Sequence, residues 1–348
     1  MRTAEFVWTG DLHILGLGFL SAYTEDPDGY IYKALDNVVS YAHEHGIKHM
    51  IIPGDVFDNP NPSQEDQKRL LNYLKTTGLT VHMISGNHDV TKDQEHSLIM
   101  SEFYADDVKN NVNVYVQPKL IKIDGILFAM LPWPHTQILT KKPCVNIAHI
   151  TLKNSKGDTG RTIAKGDFIK VLENHHWFIG DLHTKQQYSK RVSYPGMMYS
   201  ASFGEMGIKG FTHVTATEKN GTLSINEEYV ITKPPFELIN LQIATVEDLD
   251  KIEPYDKKDL KLYKLKITGD IVTPPLLRVD NPHIYDVEYK NGKTIVTKEG
   301  VKISTKGVTN PLRGLRTFLI REGATKEEAE CGYQYAKAAL KTLEGKNQ

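Results

Sequence analysis

Five short polar clusters stand directly after five apolar, strand-like runs of the sequence. They are Asp11-x-His13, Gly54-Asp55, Gly86-Asn87-His88-Asp89, His149 and Asp181-x-His183. Carboxylate, amide and imidazole groups are good ligands for metals such as Mn, Fe and Zn. Holding two such ions, with one carboxylate shared, takes about seven side chains. The clusters supply such a set, so the sequence predicts a two-metal site suited to phosphate ester hydrolysis.

A pair of cations overcomes the main obstacle to phosphodiester hydrolysis, which is the shielding of phosphorus by negative oxygens. The two charges neutralise the phosphate, generate hydroxide near neutral pH and stabilise the attacking and leaving oxygens. Asp55 follows Gly54 at the end of an apolar run that predicts a buried strand. Because an unpaired buried carboxylate is costly, we expect Asp55 to bridge the two metals, with Gly54 allowing close backbone approach.

The cluster at 86–89 offers both a ligand and a proton donor. Asn87 can give an amide oxygen to the second metal. His88 is better placed as the general acid for the leaving oxygen, and Asp89 could hold the tautomer of its ring. Asp58 is either a partner of a metal ligand or a turn cap. Each motif taken alone also fits an ordinary turn, so the interpretation depends on all five clusters together.

Strands and helices alternate in the first half of the chain, where most of the clusters lie. Strand-like runs occupy Phe6–Thr9, Met50–Ile52, Val81–Ile84, Ile126–Met130, Val145–Ala148 and Trp177–Ile179. Apolar residues at helical spacing predict a helix over 30–45, and Ser63-x-x-Asp66 predicts the capped start of another. This alternation, with a wholly apolar run at Met50–Ile52, predicts an α/β fold whose strands are largely buried.

The second half of the chain has a more antiparallel character. Asn-Gly pairs at 220–221 and 291–292 predict tight hairpins. The break at Lys233-Pro-Pro235 predicts a domain boundary, which gives domains of residues 1–234 and 235–306. The tail, residues 307–348, has the spacing of two amphipathic helices.

Composition limits the classes of protein to which the chain can belong. Its 348 residues carry 42 basic and 43 acidic side chains, a net charge of −1, which is not typical of a stand-alone nucleic-acid binder. Two cysteines, Cys144 and Cys331, exclude a disulfide framework and a thiolate zinc cluster. No run approaches the roughly 20 apolar residues of a membrane span. We therefore expect a soluble, cytoplasmic protein with no membrane partner.

Six of the histidines outside the clusters are interpreted as solvated or packed, whereas His96 and His135 stay undecided, and His135 could line the site together with Trp133. Those at positions 43, 45, 49, 175 and 176 lie near predicted helices, and we expect them to be solvated. His82 lies inside a predicted strand, and we expect it to be packed there.

The five clusters together resemble the calcineurin-like metallophosphoesterase superfamily. Within it, the segment Gly54-Asp-Val-Phe-Asp58 is similar to the second motif of the SbcD-type DNA double-strand-break repair nucleases. Residues 194–205, which end in Ser-Phe-Gly-Glu, and Lys209-Gly-Phe211 resemble the segment after the last metal motif of those enzymes. The resemblance covers residues 6–215, and beyond 235 it is one of layout only. The compact length is similar to that of phage-encoded members.

The resemblance implies a fold and a ligand set. The fold would be a four-layer α/β/β/α sandwich with a smaller α+β capping domain and a helical C-terminal tail. Two divalent ions would be bound, with Mn favoured and Mg as the alternative. The first would take Asp11, His13, Asp55 and His183, and the second Asp55, Asn87, His149 and Asp181. His88 would protonate the departing sugar oxygen.

The resemblance also implies partners. The substrate would be DNA, cut by an exo- or endonuclease reaction, and an SbcC-type coiled-coil ATPase would dock on the helical tail. A homodimer is implied as well. The location would be the bacterial cytoplasm, or that of the host if the chain is phage-encoded. Much of the grip on DNA would then come from the assembly, which accounts for the near-neutral charge.

One position departs from the family, which usually has Gly-His-x-His where this chain has Gly180-Asp181-Leu182-His183. A carboxylate at 181 is harder and anionic, so it favours Mn or Mg over Zn. It is also shorter and could reach the metal through water. Two alternatives remain open: a small-molecule or nucleotide phosphodiesterase or phosphatase of the same superfamily, and a non-catalytic scaffold that kept the fold.

Overall fold

The computed structural model describes residues 1–93, 95, 97–98, 111–205, 207–268, 281–289, 295–296 and 302–303. The chain forms two units: the first spans 1–239 and 255–262, and the second spans 240–254 and 263–348. The helices are α1 (Gly29–Glu44) and α2 (Gln64–Thr76), with short 3-10 helices at Gly18–Ala22 and Val246–Lys251. The strands are β1 (Arg2–Trp8), β2 (His49–Ile52), β3 (Thr80–Ile84), β4 (Val112–Tyr115), β5 (Lys119–Ile123), β6 (Ile126–Leu131), β7 (Cys144–His149), β8 (His175–Gly180), β9 (Gln186–Ser189), β10 (Val192–Tyr194), β11 (Gly210–Lys219), β12 (Thr222–Ile231), β13 (Glu237–Ile243), β14 (Lys261–Ile267), β15 (Ile284–Tyr289), β16 (Ile295–Val296) and β17 (Lys302–Ile303).

Two six-stranded sheets form the centre of the first unit. The first has the order β12-β11-β1-β2-β3-β4, and the second has the order β5-β6-β7-β8-β10-β9. Strands β1 to β4 are parallel to one another, as are β6, β7, β8 and β10. Strands β5, β9, β11 and β12 each pair antiparallel with their neighbours. The α/β class is thereby confirmed, with mixed sheets in place of purely parallel ones.

The two sheets pack face to face through an apolar layer. Phe6 of the first sheet makes edge-on contacts with Phe128 and Phe178 of the second, with ring centroids 5.5 and 5.7 Å apart. Trp8 also contacts Phe178, at 4.5 Å between centroids. Such edge-to-face aromatic pairs contribute beyond the area they bury, so this layer fixes one sheet against the other.

The outer faces of the sheets are covered in different ways. Helices α1 and α2 cover the first sheet through residues such as Leu35, Val38 and Leu70. The outer face of the second sheet is covered by irregular loops through residues such as Trp133 and Ile163, and residues 111–205 contain no helix. Within the described residues, the layer over the second sheet is therefore formed by loops, and the helices lie over the first sheet.

A three-stranded sheet has the order β13-β14-β15, and β14 and β15 are parallel. The boundaries between the units fall within β13 and β14, so most residues of this sheet belong to the second unit. Strands β16 and β17 form a separate antiparallel pair. Among the residues described, no helix has the length and apolar character needed to cross a membrane.

Most of the predicted elements are present. A two-residue Asn220-Gly221 turn joins β11 to β12, with φ of 53° and 77°, as a tight hairpin requires. His82 is buried in β3 as expected. His175 and His176, expected to be solvated, are instead buried in β8, because this strand begins two residues earlier than its apolar run. The 291–292 hairpin, Cys331 and the helical tail lie outside the described residues.

Helix α2 begins with the capping box that the sequence predicts. The Ser63 hydroxyl accepts a hydrogen bond from the Asp66 amide at 3.1 Å, and the Asp66 carboxylate accepts one from the Ser63 amide at 3.0 Å. We expect Ser63→Ala to lower the free energy of unfolding by about 1 kcal/mol, because it removes an N-cap acceptor. Urea unfolding in the presence of a chelator measures this effect. Ser63→Thr keeps the cap and should remain close to the parent, and equal losses in both variants would contradict the assignment.

Candidate metal centre

The five polar clusters converge at one edge of the paired sheets. Asp11 and His13 follow β1, Asp55 follows β2, and the 86–89 cluster follows β3. His149 ends β7 of the second sheet, and the 181–183 cluster follows β8. The carboxyl ends of parallel strands meet at the same edge, where ligands of open α/β sheets commonly bind. The order of the strands therefore explains why residues far apart in sequence meet here.

One group of candidate ligands surrounds the His149 ring. Asp11, Asp55 and His149 are 1%, 2% and 0% exposed, and their potential ligand atoms lie within 4.8 Å of one another. His149 Nε2 lies 3.2 Å from Asp55 Oδ1 and 2.9 Å from Asn87 Oδ1. Asp181 Oδ1 is 3.7 Å from the same nitrogen. The four residues expected around the second metal are therefore brought together.

A second group lies beside the first. Asp11, His13 and His183 also present ligand atoms within 4.8 Å of one another. The Nε2 atoms of His13 and His183 are 3.1 Å apart, and His13 Nε2 is 3.7 Å from Asp55 Oδ2. Asp11 and Asp55 thus adjoin both groups, which is the position that a shared carboxylate must occupy.

The orientation of the three imidazoles follows from what their other nitrogens contact. His149 Nδ1 lies 2.9 Å from the carbonyl oxygen of Pro53, which can only accept, so this nitrogen carries the proton. His13 Nδ1 meets Asp58 Oδ1 at 2.9 Å, and His183 Nδ1 meets Glu205 Oε1 at 3.0 Å. Metal-binding histidines commonly donate in this way to a carbonyl or carboxylate group. The Nε2 lone pairs are then left for the interior of the site.

These lone pairs fit divalent cations. In the neutral tautomers, His13 Nε2 and His183 Nε2 would face each other as two acceptors at 3.1 Å. His149 Nε2 would face only oxygens, those of Asn87, Asp55 and Asp181. Acceptors at such distances repel, and a cation between them turns the repulsion into attraction. The residues present therefore match a pair of oxygen- and nitrogen-preferring metal ions.

The pKa shifts report the same accumulation of negative charge. Burial raises the pKa of Asp11 to about 6, against the influence of the nearby histidines. Burial disfavours a charged His183 ring, yet the Glu205 hydrogen bond and the Asp11 carboxylate raise its pKa to about 9. His149 is shifted upward as well, since Asp55 and Asp11 outweigh the effect of burial on its pKa. The cluster needs positive charge, from protons or from metal ions.

Asp89 does not make the contact expected of it. Its buried carboxylate accepts hydrogen bonds from the backbone amides of Gly86, Val56 and Phe57 at 2.8, 3.1 and 2.9 Å. The His88 ring is held instead by the carbonyl oxygen of Asp58, 2.8 Å from Nδ1. Although His88 and Asp89 are adjacent in sequence, the turn directs the Asp89 side chain to the backbone amides and the His88 ring to Asp58. Asp89 ties the loop after β2 to the loop after β3.

His88 lies at the mouth of the site. Its side chain is 43% exposed, and its ring centroid is 4.9 Å from that of His13. Its backbone amide donates to Asp55 Oδ1 at 2.9 Å. A half-exposed imidazole next to a buried ligand cluster can reach a bound molecule. His88 could also join His13 and Asp58 as a third group of potential ligands.

Several residues that support the candidate ligands have no motif in the sequence that predicts this role. Glu205 holds His183 Nδ1 and forms a 2.7 Å ion pair with the buried Lys209. Asp158 accepts a hydrogen bond from the His183 amide at 2.7 Å, and Thr151 donates to Asp181. The Ser-Phe-Gly-Glu and Lys-Gly-Phe segments resemble a family, but the resemblance assigns no contact to Glu205 or Lys209. Lys209 lies just before Gly210 and the apolar Phe211, and this position at the start of a strand is the available signal in the sequence that the lysine is buried.

The backbone around the site has unusual φ angles, and at Gly54 it lies unusually close to the His149 ring. His13, Asp55 and Asp181 have φ of 44°, 44° and 99°, values that L-residues rarely adopt. Such strain tends to occur where function requires it. A Cβ at Gly54 would lie 2.4 Å from His149 Nδ1. The expected close approach of Gly54 is therefore confirmed, and the loops are shaped to bring the candidate ligands together.

Comparison with known families agrees with this geometry. Residues 4–184 match the family described as calcineurin-like phosphoesterase. The matched stretch contains all five polar clusters and makes up more than half of the 348 residues. The chain belongs to the calcineurin-like phosphoesterase family, whose members are metal-dependent hydrolases.

Two curated proteins are similar over parts of their length. The chain is 31% identical over 104 residues to Exonuclease subunit 1 of Enterobacteria phage T4, covering 28% of this chain and 30% of that protein. It is 23% identical over 241 residues to the uncharacterized metallophosphoesterase YhaO of Bacillus subtilis (strain 168), covering 63% of this chain and 58% of that protein. The matches thus span less than two thirds of either relative.

Among solved structures, vacuolar protein sorting 29 from Cryptosporidium parvum covers 67% of this chain and 100% of its own, at 11% identity and a TM-score of 0.23. At that TM-score the likeness adds nothing to the assignment of the fold.

Gly86 provides a test of the close approach within the site. A Cβ there would lie 2.1 Å from Asp55 Oδ1 and 2.3 Å from the Asp55 amide nitrogen. We expect Gly86→Ala to displace the Asp55 loop, lowering the free energy of unfolding by about 1–3 kcal/mol and reducing bound metal. Metal analysis and thermal unfolding measure both effects.

Gly18→Ala is the matched control, because its Cβ would meet nothing within 4 Å. Normal metal content in Gly86→Ala would contradict the geometry described for Asp55.

Proposed function

We propose that this phosphoesterase is a two-metal-dependent DNA nuclease that hydrolyses phosphodiester bonds. The observation that carries the proposal is the pair of ligand groups adjoining Asp11 and Asp55, beside the half-exposed His88. A partial likeness to a protein named as an exonuclease subunit supports DNA as the substrate. The SbcD-like segments around Asp58 and Glu205 support the same substrate class.

The proposed ligand sets follow the two groups. The first ion would be held by Asp11, His13, Asp55 and His183, and the second by Asp55, Asn87, His149 and Asp181. A pair of divalent ions, Mn before Mg, would neutralise the phosphate and lower the pKa of the attacking water. The chain contributes the orientation: Asp58, Glu205 and the Pro53 carbonyl fix the three imidazoles, and Asp89 fixes the loops.

His88 would act as the general acid. The Asp58 carbonyl oxygen accepts from its Nδ1, which leaves Nε2 to deliver a proton to the departing sugar oxygen. Its partial exposure suits a group that must exchange protons with solvent between turnovers. A positioned general acid typically contributes about 10²–10⁴-fold to the rate.

The other parts of the proposal concern the assembly. Residues 235–306 would form a capping and DNA-binding domain, and residues 307–348 would dock an SbcC-type coiled-coil ATPase. The nuclease would act as a homodimer within a complex that processes DNA ends in repair or recombination. The printed name of the phage relative, an exonuclease subunit, supports a multi-subunit arrangement.

A second candidate function stays within the same family: hydrolysis of a small-molecule or nucleotide phosphodiester, or of a phosphoprotein. The net charge of −1 favours it, since a small substrate needs no basic surface. A nuclease should prefer DNA to a small phosphodiester, and an enzyme with the second function should prefer the smaller substrate.

The deciding experiment compares two substrates with Mn-loaded protein, alone and with its partner ATPase. Linear DNA and bis(p-nitrophenyl) phosphate are assayed side by side. We expect cleavage of DNA, with kcat/KM exceeding that for the chromogenic diester. If the chromogenic diester is hydrolysed while linear DNA stays intact in both conditions, the nuclease proposal is wrong and the second candidate stands.

Replacing His88 separates a proton donor from a ligand. We expect His88→Gln to reduce kcat on DNA by about 10²–10⁴-fold while the Mn content stays that of the parent. The loss should be smaller on bis(p-nitrophenyl) phosphate, because p-nitrophenolate leaves without a proton. A fall in bound Mn would instead make His88 a metal ligand.

The carboxylate at 181 predicts unequal metal sites. We expect calorimetric titration of the metal-free protein with Mn to resolve a tighter first site and a weaker second one, because Asp181 is short and is engaged by Thr151. Asp181→His should raise the affinity of the second site for Zn, since imidazole is the softer ligand. Two equally tight Mn sites in the parent would contradict this prediction.

A further inference from the structure

The segment that follows His149 folds back on itself beside the metal centre. The Asn154 amide donates to the Ile163 carbonyl at 2.8 Å, and the Ile163 amide donates to the Ser155 carbonyl at 2.9 Å. A turn at 157–160 closes the tip, with the Gly160 amide 2.8 Å from the Gly157 carbonyl oxygen. We call residues 154–163 the site hairpin.

The site hairpin is held against the candidate ligands. At its tip, Asp158 accepts the 2.7 Å hydrogen bond from the His183 amide. On its other side, the Gln186 side chain exchanges two hydrogen bonds with the Lys156 backbone, at 2.9 and 2.8 Å. The Tyr188 hydroxyl donates to the Lys153 carbonyl at 2.9 Å. A molecule bound at the metals would therefore have a fixed neighbour in this hairpin.

The segment carries a local positive charge that the whole chain lacks. Residues 151–173 contain five basic side chains, all of them exposed: Lys153, Lys156, Arg161, Lys165 and Lys170. The acidic side chains are fewer, namely Asp158, Asp167 and Glu173, and Asp158 is already engaged at His183. In the described part of the chain, none of the five cations forms an ion pair. The surface is therefore available to a polyanion.

An exposed aromatic ring accompanies these charges. Phe168 is 75% exposed, and Lys153 Nζ lies 5.7 Å from its ring centroid. The residue before it is anchored, because the Asp167 amide donates to the Thr151 carbonyl at 2.7 Å. Basic side chains that follow a backbone, with an aromatic ring on which a base can stack, are the combination that single-strand binders use.

We propose that the site hairpin and residues 164–170 form the surface that grips a nucleic-acid strand next to the metal centre. Arg161, Lys165 and Lys170 contact its phosphates, and Phe168 stacks on a base. The inference rests on the proposed nuclease function and deepens it by naming the part of the chain that holds the strand. A local patch also reconciles a polyanionic substrate with a net charge of −1.

The charge arm of the test uses a triple variant, Arg161→Gln with Lys165→Gln and Lys170→Gln. Binding of a phosphorothioate single-stranded oligonucleotide, which resists hydrolysis, is measured against salt concentration with full-length Mn-loaded protein. At about 0.7 released counterions per phosphate contact, three lost contacts should reduce the log–log salt slope by about 2. We expect the dissociation constant to rise at least tenfold at about 50 mM salt.

The matched control removes the same charge from the opposite edge of the sheets. Lys48, Lys122 and Lys219 are exposed near the amino ends of the parallel strands. Their triple replacement by Gln should leave the affinity and the salt slope unchanged. Arg161→Lys keeps the charge and should keep the slope. Equal weakening by the control triple would mean that only net charge matters, and would overturn the proposal.

The stacking arm uses Phe168→Ser. Loss of one stacked base should weaken single-strand binding by about 5- to 150-fold without changing the salt slope, because no phosphate contact is lost. The substitution removes an exposed ring, so the fold should tolerate it. Unchanged binding of single strands by this variant and by the charge variant would overturn the proposal.

Hydrolysis of bis(p-nitrophenyl) phosphate separates this proposal from the nuclease proposal. The charge variant should retain it, since this substrate has a single phosphate group, which the metal ions would bind, and no further phosphates for the three cations to contact. DNA cleavage by the parent with unchanged binding by the charge variant would reject the surface and keep the nuclease. Weakened DNA binding by the charge variant, with no DNA cleavage by the parent, would keep the binding surface and reject the nuclease activity. Loss of chromogenic hydrolysis in the variant would assign the segment to support of the metal centre and overturn the proposal.

Discussion

The site depends on the burial of two carboxylates side by side at the junction of two sheets. Asp11 and Asp55 are almost wholly removed from water, and like charges at such proximity cannot both persist without compensation. The protein surrounds them with imidazoles whose outer nitrogens are already engaged. The positive φ angles of His13, Asp55 and Asp181 and the close approach of Gly54 and Gly86 hold these groups together, and bound cations would compensate their charge.

Support for the site is shared unequally between local and distant parts of the chain. Asp58 and Pro53, which orient His13 and His149, belong to the same loop as Asp55. His183 is supported instead by Asp158 and Glu205, which come from separate irregular segments. The position of His183 therefore depends on two irregular segments. Substitutions in these segments should influence the site as strongly as substitutions in the core.

The sequence predicted the convergence of the clusters because chain direction in parallel strands places every carboxyl end at one edge. The position of Asp58 close to Asp55 along the chain made it a candidate supporting group, with a turn cap left open as the alternative. Sequence reasoning did not reach Glu205 or Asp158, whose partners are distant in sequence, and it misassigned Asp89, whose direction depends on a turn. His175 and His176 were misjudged because a strand boundary cannot be located to a residue from apolar spacing alone.

The candidate ligands come from both sheets, with Asp11, Asp55 and Asn87 on one and His149, Asp181 and His183 on the other. Ions held between these residues would link the two sheets to each other in addition to serving in catalysis. By mass action, a ligand that binds only the folded state raises its stability with the logarithm of its free concentration. A cell starved of metal would then hold a protein that is idle and also more easily unfolded and degraded, which couples its abundance to metal supply.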